Sequence, residues 1–142
     1  MKFLLVVASL LVCAVVLGAA AAGPAAVSYF YHDKVAKGGS LVTEPAYTVS
    51  MNRRTATGQV EVHEKETDIL YVTEGEATFV TGGKMIGGKV SRPNQLLGTE
   101  IEGGETHHLA KGDVAVIPAG TPHWFKQVPQ SIQYFVVKSI QP

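Results

Sequence analysis

The chain has 142 residues, enough for one domain. Twelve basic residues balance twelve acidic ones, for a formal net charge of zero. That balance gives no electrostatic case for nucleic acid or an anionic membrane as a partner.

The chain opens with "MKFLLVVASLLVCAVVLGAAAAG": one lysine, an unbroken apolar run, then small residues. This is the layout of a secretory signal peptide, expected over residues 1–22 with cleavage near Ala22; Ala20 and Ala21 are alternatives. The rival reading is an uncleaved anchor, since the apolar run is near the lower limit of about 17–25 residues that a bilayer needs. The alanine-rich end favours cleavage. A lipoprotein is excluded because Val12, not a small residue, precedes Cys13. Cleavage would remove Cys13, the one cysteine, so the exported chain would hold no disulfide. It would also remove Lys2, taking the charge count from 12 and 12 to 11 basic against 12 acidic. A secreted or periplasmic location is the expectation.

Residues 23–45 read as a leader with a first strand, "VSYFYH" (27–32), and one helical turn in "DKVAKGG" (33–39). From residue 46 onward the chain reads as short strands broken by turn residues. The first group is "AYTVSM" (46–51), "QVEVH" (59–63), "DILYVTEG" (68–75) and "EATFVTGG" (76–83). The second is "TEI" (99–101), "THHL" (106–109), "DVAVIP" (113–118), "HWFKQV" (123–128) and "IQYFVVKSI" (132–140). No sustained helical period follows the leader. The expected fold is all-β, a sandwich or barrel over residues 46–142. "GGKMIGGKVSRPNQLLG" (82–98) reads as a long hairpin loop. Its functional alternative is a flap offering Lys84, Lys89 and Arg92 to an anionic ligand. It lacks the Gly-Lys-Ser/Thr ending of a phosphate loop.

Two stretches carry chemistry. In "GDVAVIPAGTPHWFKQV" the order is Gly112, five residues, Pro118, one residue, Gly120, two residues, His123, three residues, Gln127. A strand, a tight turn set by proline and glycine, and a returning strand are expected. His123, Phe125 and Gln127 would share one face of that strand. In "EVHEKETDILYVTEG" (61–75), Glu61 and His63 are two apart and share a face in the same way.

The first of these stretches resembles the second motif of the cupin superfamily, G-x5-P-x-G-x2-H-x3-N, with Gln127 in place of the final Asn. The other resembles the first motif, G-x5-H-x-H-x(3,4)-E-x6-G, more loosely. Gly75 and His63 stand in place, Glu61 replaces the first His, Asp68 replaces the Glu, and Thr55 replaces the leading Gly. The resemblance implies a single-domain double-stranded β-helix, the jelly-roll barrel. It also implies a metal quartet of Glu61, His63, Asp68 and His123, two imidazoles and two carboxylates suited to Fe(II), Mn(II) or Zn(II). Asp68 is a methylene shorter than the usual Glu.

The metal-free alternative is an interior network in which the two acids satisfy the two histidines. His107 and His108 are adjacent, so one faces inward; if Leu109 packs inward, His107 joins it. Glu61 and His107 are the candidate proton carriers. One of Arg53 and Arg54 would face the pocket and pair with Glu61 or with a substrate carboxylate, the alternative being a position on the rim, while Tyr71 and Trp124 would lie on the opposite faces. Two functions follow: a metal-dependent enzyme on a small polar molecule, with dioxygenase- or isomerase-like chemistry, or a non-catalytic small-molecule-binding barrel. Edge strands need cover, so a homodimer is expected.

Overall fold

The computed structural model describes residues 26–142; the expected signal peptide lies outside the described residues. "VSYFYH" does not form a strand. The chain passes from Tyr31 directly into α1 (His32–Ala36), and Val27, Tyr29 and Tyr31 stand exposed. Aromatic and β-branched residues make a strand only where an edge is offered for pairing, and no described strand pairs with this segment.

Twelve strands follow: β1 (Gly39–Thr43), β2 (Tyr47–Arg54), β3 (Val60–His63), β4 (Glu66–Thr81), β5 (Lys84–Ile86), β6 (Lys89–Arg92), β7 (Gln95–Gly98), β8 (Glu100–Glu102), β9 (Glu105–Ala110), β10 (Val114–Ile117), β11 (His123–Gln127) and β12 (Ile132–Ile140). All their pairings are antiparallel. One layer runs β1-β2-β12-β4-β10 and the other β9-β4-β11-β3-β7-β6. The layers curl into a jelly-roll barrel, as expected from the sequence.

β4 belongs to both layers. The expected strands 68–75 and 76–83 are one 16-residue strand with a corner at Gly75. Before the corner Asp68, Leu70 and Val72 face inward; after it Ala77 and Phe79 do. The inward set moves from even to odd numbers at the corner, where the pairing with β12 also shifts register between Gln133 and Tyr134. Around the corner the core closes on Phe79, Ile132 and Val72.

The segment 82–98 is not an irregular loop. It contains β5, β6 and β7. β7 pairs with β3, opposing His63 to Gln95, and β5 pairs with β8 in a separate two-stranded sheet. Most of these partners are distant in the chain, so no local alternation announces them. Lys84 and Lys89 are exposed, while Arg92 reaches back to Glu66 Oε1 at 3.4 Å.

Gln127 does not share the face of His123 and Phe125. A register shift between Phe125 and Gln127 places it opposite Thr78, whose hydroxyl donates to Gln127 Oε1 at 3.4 Å. This β-bulge turns Gln127 to the exposed side. Tyr71 and Trp124 lie on outer faces as expected. Trp124 is tied down by its indole N–H, which donates to the Gly58 carbonyl at 2.7 Å.

Candidate metal centre

The buried polar side chains among the described residues are His63, Asp68 and His123. Three different strands supply them, and β-sheet alternation aims each inward. On β11, His123 precedes inward Phe125 by two residues. On β4, Asp68 precedes inward Leu70 by two. His63 ends β3, and its carbonyl accepts the Gly120 N–H at 2.8 Å. Gly120 has φ 80°, a backbone state that glycine adopts without strain. The "PAGTP" turn thus pins β3 to the start of β11, and its sequence sets the spacing of the two histidines. Their rings lie 5.2 Å apart.

The structure brings Glu61, His63, Asp68 and His123 together. His63 Nε2 lies 3.4 Å from Glu61 Oε2 and 3.6 Å from Asp68 Oδ2. His123 Nε2 lies 3.9 Å from the same Asp68 oxygen. One donor atom each of Glu61, His63 and His123 falls within 4.8 Å of the others, and His63, Glu66 and Asp68 do likewise.

His107 is not part of this cluster. Leu109 is buried and His107 shares its inward face, but His107 lines a separate cavity of about 680 Å³ beyond Phe79. There its Nε2 is 2.9 Å from the Thr81 hydroxyl. His108 points outward, 3.2 Å from Glu76.

Two basic residues reach the acids. Arg54, not Arg53, pairs with Glu61: Nη2 lies 2.8 Å from Oε1, and Nε donates to the Tyr134 hydroxyl at 3.1 Å. The Arg54 guanidinium also sits over the Phe125 ring, 4.9 Å from its centroid. Lys138 lies opposite Asp68 in the β12–β4 register. Its Nζ is 2.8 Å from both Asp68 oxygens and 3.1 Å from Glu66 Oε2.

Lys138 and Glu66 did not figure among the expected site residues. Both could be found by alternation. Glu66 is two residues before Asp68, and Lys138 extends the inward series Ile132, Tyr134, Val136. Counting motif positions overlooks them because neither occupies one.

The protonation state of His123 suits coordination. Burial pushes the His123 imidazole below its ordinary pKa, outweighing the nearby carboxylates, so the ring is neutral at pH 7. Its Nδ1–H donates to the Thr121 carbonyl at 3.1 Å. A neutral ring that donates through Nδ1 leaves the Nε2 lone pair free toward the cluster. His63 Nδ1 is buried without a hydrogen-bond partner and faces Glu66 Oε2 at 3.5 Å.

Glu61 is ionised. Burial alone would raise its pKa, but the hydrogen bond from His63 and the charge of Arg54 lower it to about 2. An unfolded glutamate titrates near 4.5. The stabilisation is therefore complete above pH 4.5 and is lost as pH falls toward 2. In chelator, Glu61→Gln should cost about 3 kcal/mol at pH 7. Urea unfolding should show the gap to the native chain closing between pH 4.5 and 2. A gap unchanged across that range would contradict the assignment.

The cluster opens on a cavity of about 300 Å³ whose lining includes Asn52, Arg53, Arg54, Tyr134 and Lys138.

A cupin-family profile matches residues 33–142, and the chain belongs to the cupin family. No curated protein sequence matches it significantly. Solved structures similar to it include TT1209 from Thermus thermophilus, at TM-score 0.55 and 18% identity, covering 82% of this chain and 100% of that one. BH2720 from Bacillus halodurans aligns at TM-score 0.53 and 16% identity, over 74% of this chain and 70% of that one. The Cnp3 cupin domain of Schizosaccharomyces pombe aligns at TM-score 0.53 and 12% identity, over 73% of this chain and 60% of that one. At these identities the likeness is one of fold.

Proposed function

We propose that this cupin binds one divalent metal ion through Glu61, His63 and His123 and holds a small anionic molecule beside it in the 300 Å³ cavity. The observation that carries the reading is the His123 tautomer: Nδ1 is committed to Thr121, which leaves the Nε2 lone pair free in a cluster with Glu61 and His63. Two imidazoles and a carboxylate suit Fe(II), Mn(II) or Zn(II). Such an ion supplies Lewis acidity toward an oxygen of the ligand.

The charge balance supports the ligand class. Glu61, Glu66 and Asp68 are offset by Arg54, Arg92 and Lys138. A divalent ion would add surplus positive charge beside a cavity already lined by Arg53, Arg54 and Lys138, which favours an anionic group such as a carboxylate. Arg54 and the Tyr134 hydroxyl would orient that group. Glu61, held near pKa 2, is a weak base and serves better as a donor than as a proton carrier. Isomerase- or dioxygenase-like chemistry is the reactive form of this reading.

The same charge balance favours a second reading, a metal-free barrel that binds a small molecule. Elemental analysis of protein purified without added metal separates the two. We expect close to one equivalent per chain in the native protein and its loss in His123→Ala. Folded native protein free of metal, and unable to take one up, would leave only the second reading.

A further inference from the structure

Two donor clusters meet at His63. One is Glu61, His63 and His123; the other is His63, Glu66 and Asp68. By composition the second suits a divalent ion at least as well as the first, since it has two carboxylates. The two clusters differ in what already occupies them. Among the described residues no cationic side chain stands on His123, and Arg54 takes only one oxygen of Glu61, leaving Oε2 toward His63. In the second, the Lys138 ammonium engages both oxygens of Asp68 and one of Glu66 at 2.8–3.1 Å. β12 delivers it there, because Lys138 is the register partner of Asp68 and follows the inward residues Tyr134 and Val136.

We infer that Lys138 is a tethered cation that fills the second cluster, keeps Asp68 out of the coordination set and so limits the protein to one ion with three protein donors. This rests on the metal-binding reading above and sharpens it. It sets aside the quartet that the motif implies, in which Asp68 is the fourth donor. The ammonium takes one lone-pair position on each Asp68 oxygen and neutralises the carboxylate, so a metal ion binding Asp68 would have to share it with a cation 2.8 Å away. Removing the Lys138 partner of this partly buried pair leaves the buried Asp68 charge uncompensated, and a divalent ion is then the compensating group at hand. Three protein donors also leave positions open toward the cavity, where a ligand can reach the ion.

The test is Co(II) binding to chelator-stripped full-length chain, read by chelator competition for affinity and by visible absorption for coordination. The native chain is compared with Asp68→Asn, Lys138→Met, the double variant and His123→Ala. In the native background Asp68→Asn should change the affinity by less than about threefold, whereas His123→Ala should abolish binding. Lys138→Met should tighten Co(II) about tenfold or more, or add a second ion, and change the absorption spectrum as a carboxylate joins. Adding Asp68→Asn to Lys138→Met should reverse that gain.

An Asp68→Asn loss as large as that of His123→Ala would overturn the inference, as would a Lys138→Met protein with native affinity and spectrum. If Lys138→Met does not fold, the Asp68→Asn result in the native background decides. A native chain that binds no Co(II) defeats the proposed function. In that case Lys138→Met still judges the inference: a gained ion supports it, and none overturns it.

Discussion

Gly75→Ala should destabilise the barrel by about 3 kcal/mol or more, seen as an earlier midpoint in urea. At φ 75° a side chain is strained, and a Cβ built there would overlap the Ser131 carbonyl oxygen. That oxygen belongs to the backbone, so relief requires the β11–β12 turn to move. Gly75 is also the point at which β4 leaves one layer for the other. Displacement there shifts Asp68 on one arm of the strand against Phe79 on the other. Gly82, also at positive φ, has nothing within 4 Å of its built Cβ. Gly82→Ala should cost only about 1–2 kcal/mol from its backbone angle. Equal effects at the two positions would show that the corner is not the constraint.

Phe79→Ala is the second large effect, with an expected cost of about 3–5 kcal/mol. Phe79 is fully buried, with its ring 4.7 Å from Phe125 and 6.2 Å from His123. It lines the larger cavity on one side and supports the His123 ring on the other. Truncation would open that cavity toward His123 and loosen the ring. We expect weakened metal binding beyond the loss of stability, measured at a temperature where both proteins are folded. Phe79→Leu keeps most of the volume and should recover most of both. A Phe79→Ala protein with native stability would place the core elsewhere.

Much of this is legible in the sequence, where local pattern and tertiary context agree. "PAGTP" reads as a turn between two strands because proline and glycine restrict it, and β10 and β11 flank it as expected. The run of β-branched and aromatic residues in "IQYFVVKSI" gives β12 at its observed limits. The inward aim of Glu61 and His63 follows from their spacing on β3.

What the sequence hides depends on pairing across long sequence distances. β7 exists because β3 offers it an edge, and nothing within residues 82–98 reports that edge. "VSYFYH" has strand composition but no pairing neighbour among the described residues. Gln127 leaves its expected face because a bulge intervenes, which no composition marks. Lys138 escapes notice because a motif names donors, whereas the charge that opposes a donor comes from the facing strand.

X-ray absorption on the Zn(II)-loaded protein would read the coordination shell itself. We expect one ion per chain with two imidazole nitrogens and carboxylate oxygen at about 2.0–2.2 Å, and one imidazole fewer in any His123→Ala protein that still retains zinc. A shell of oxygens alone, or the same two-imidazole shell after His123 is removed, would contradict that coordination.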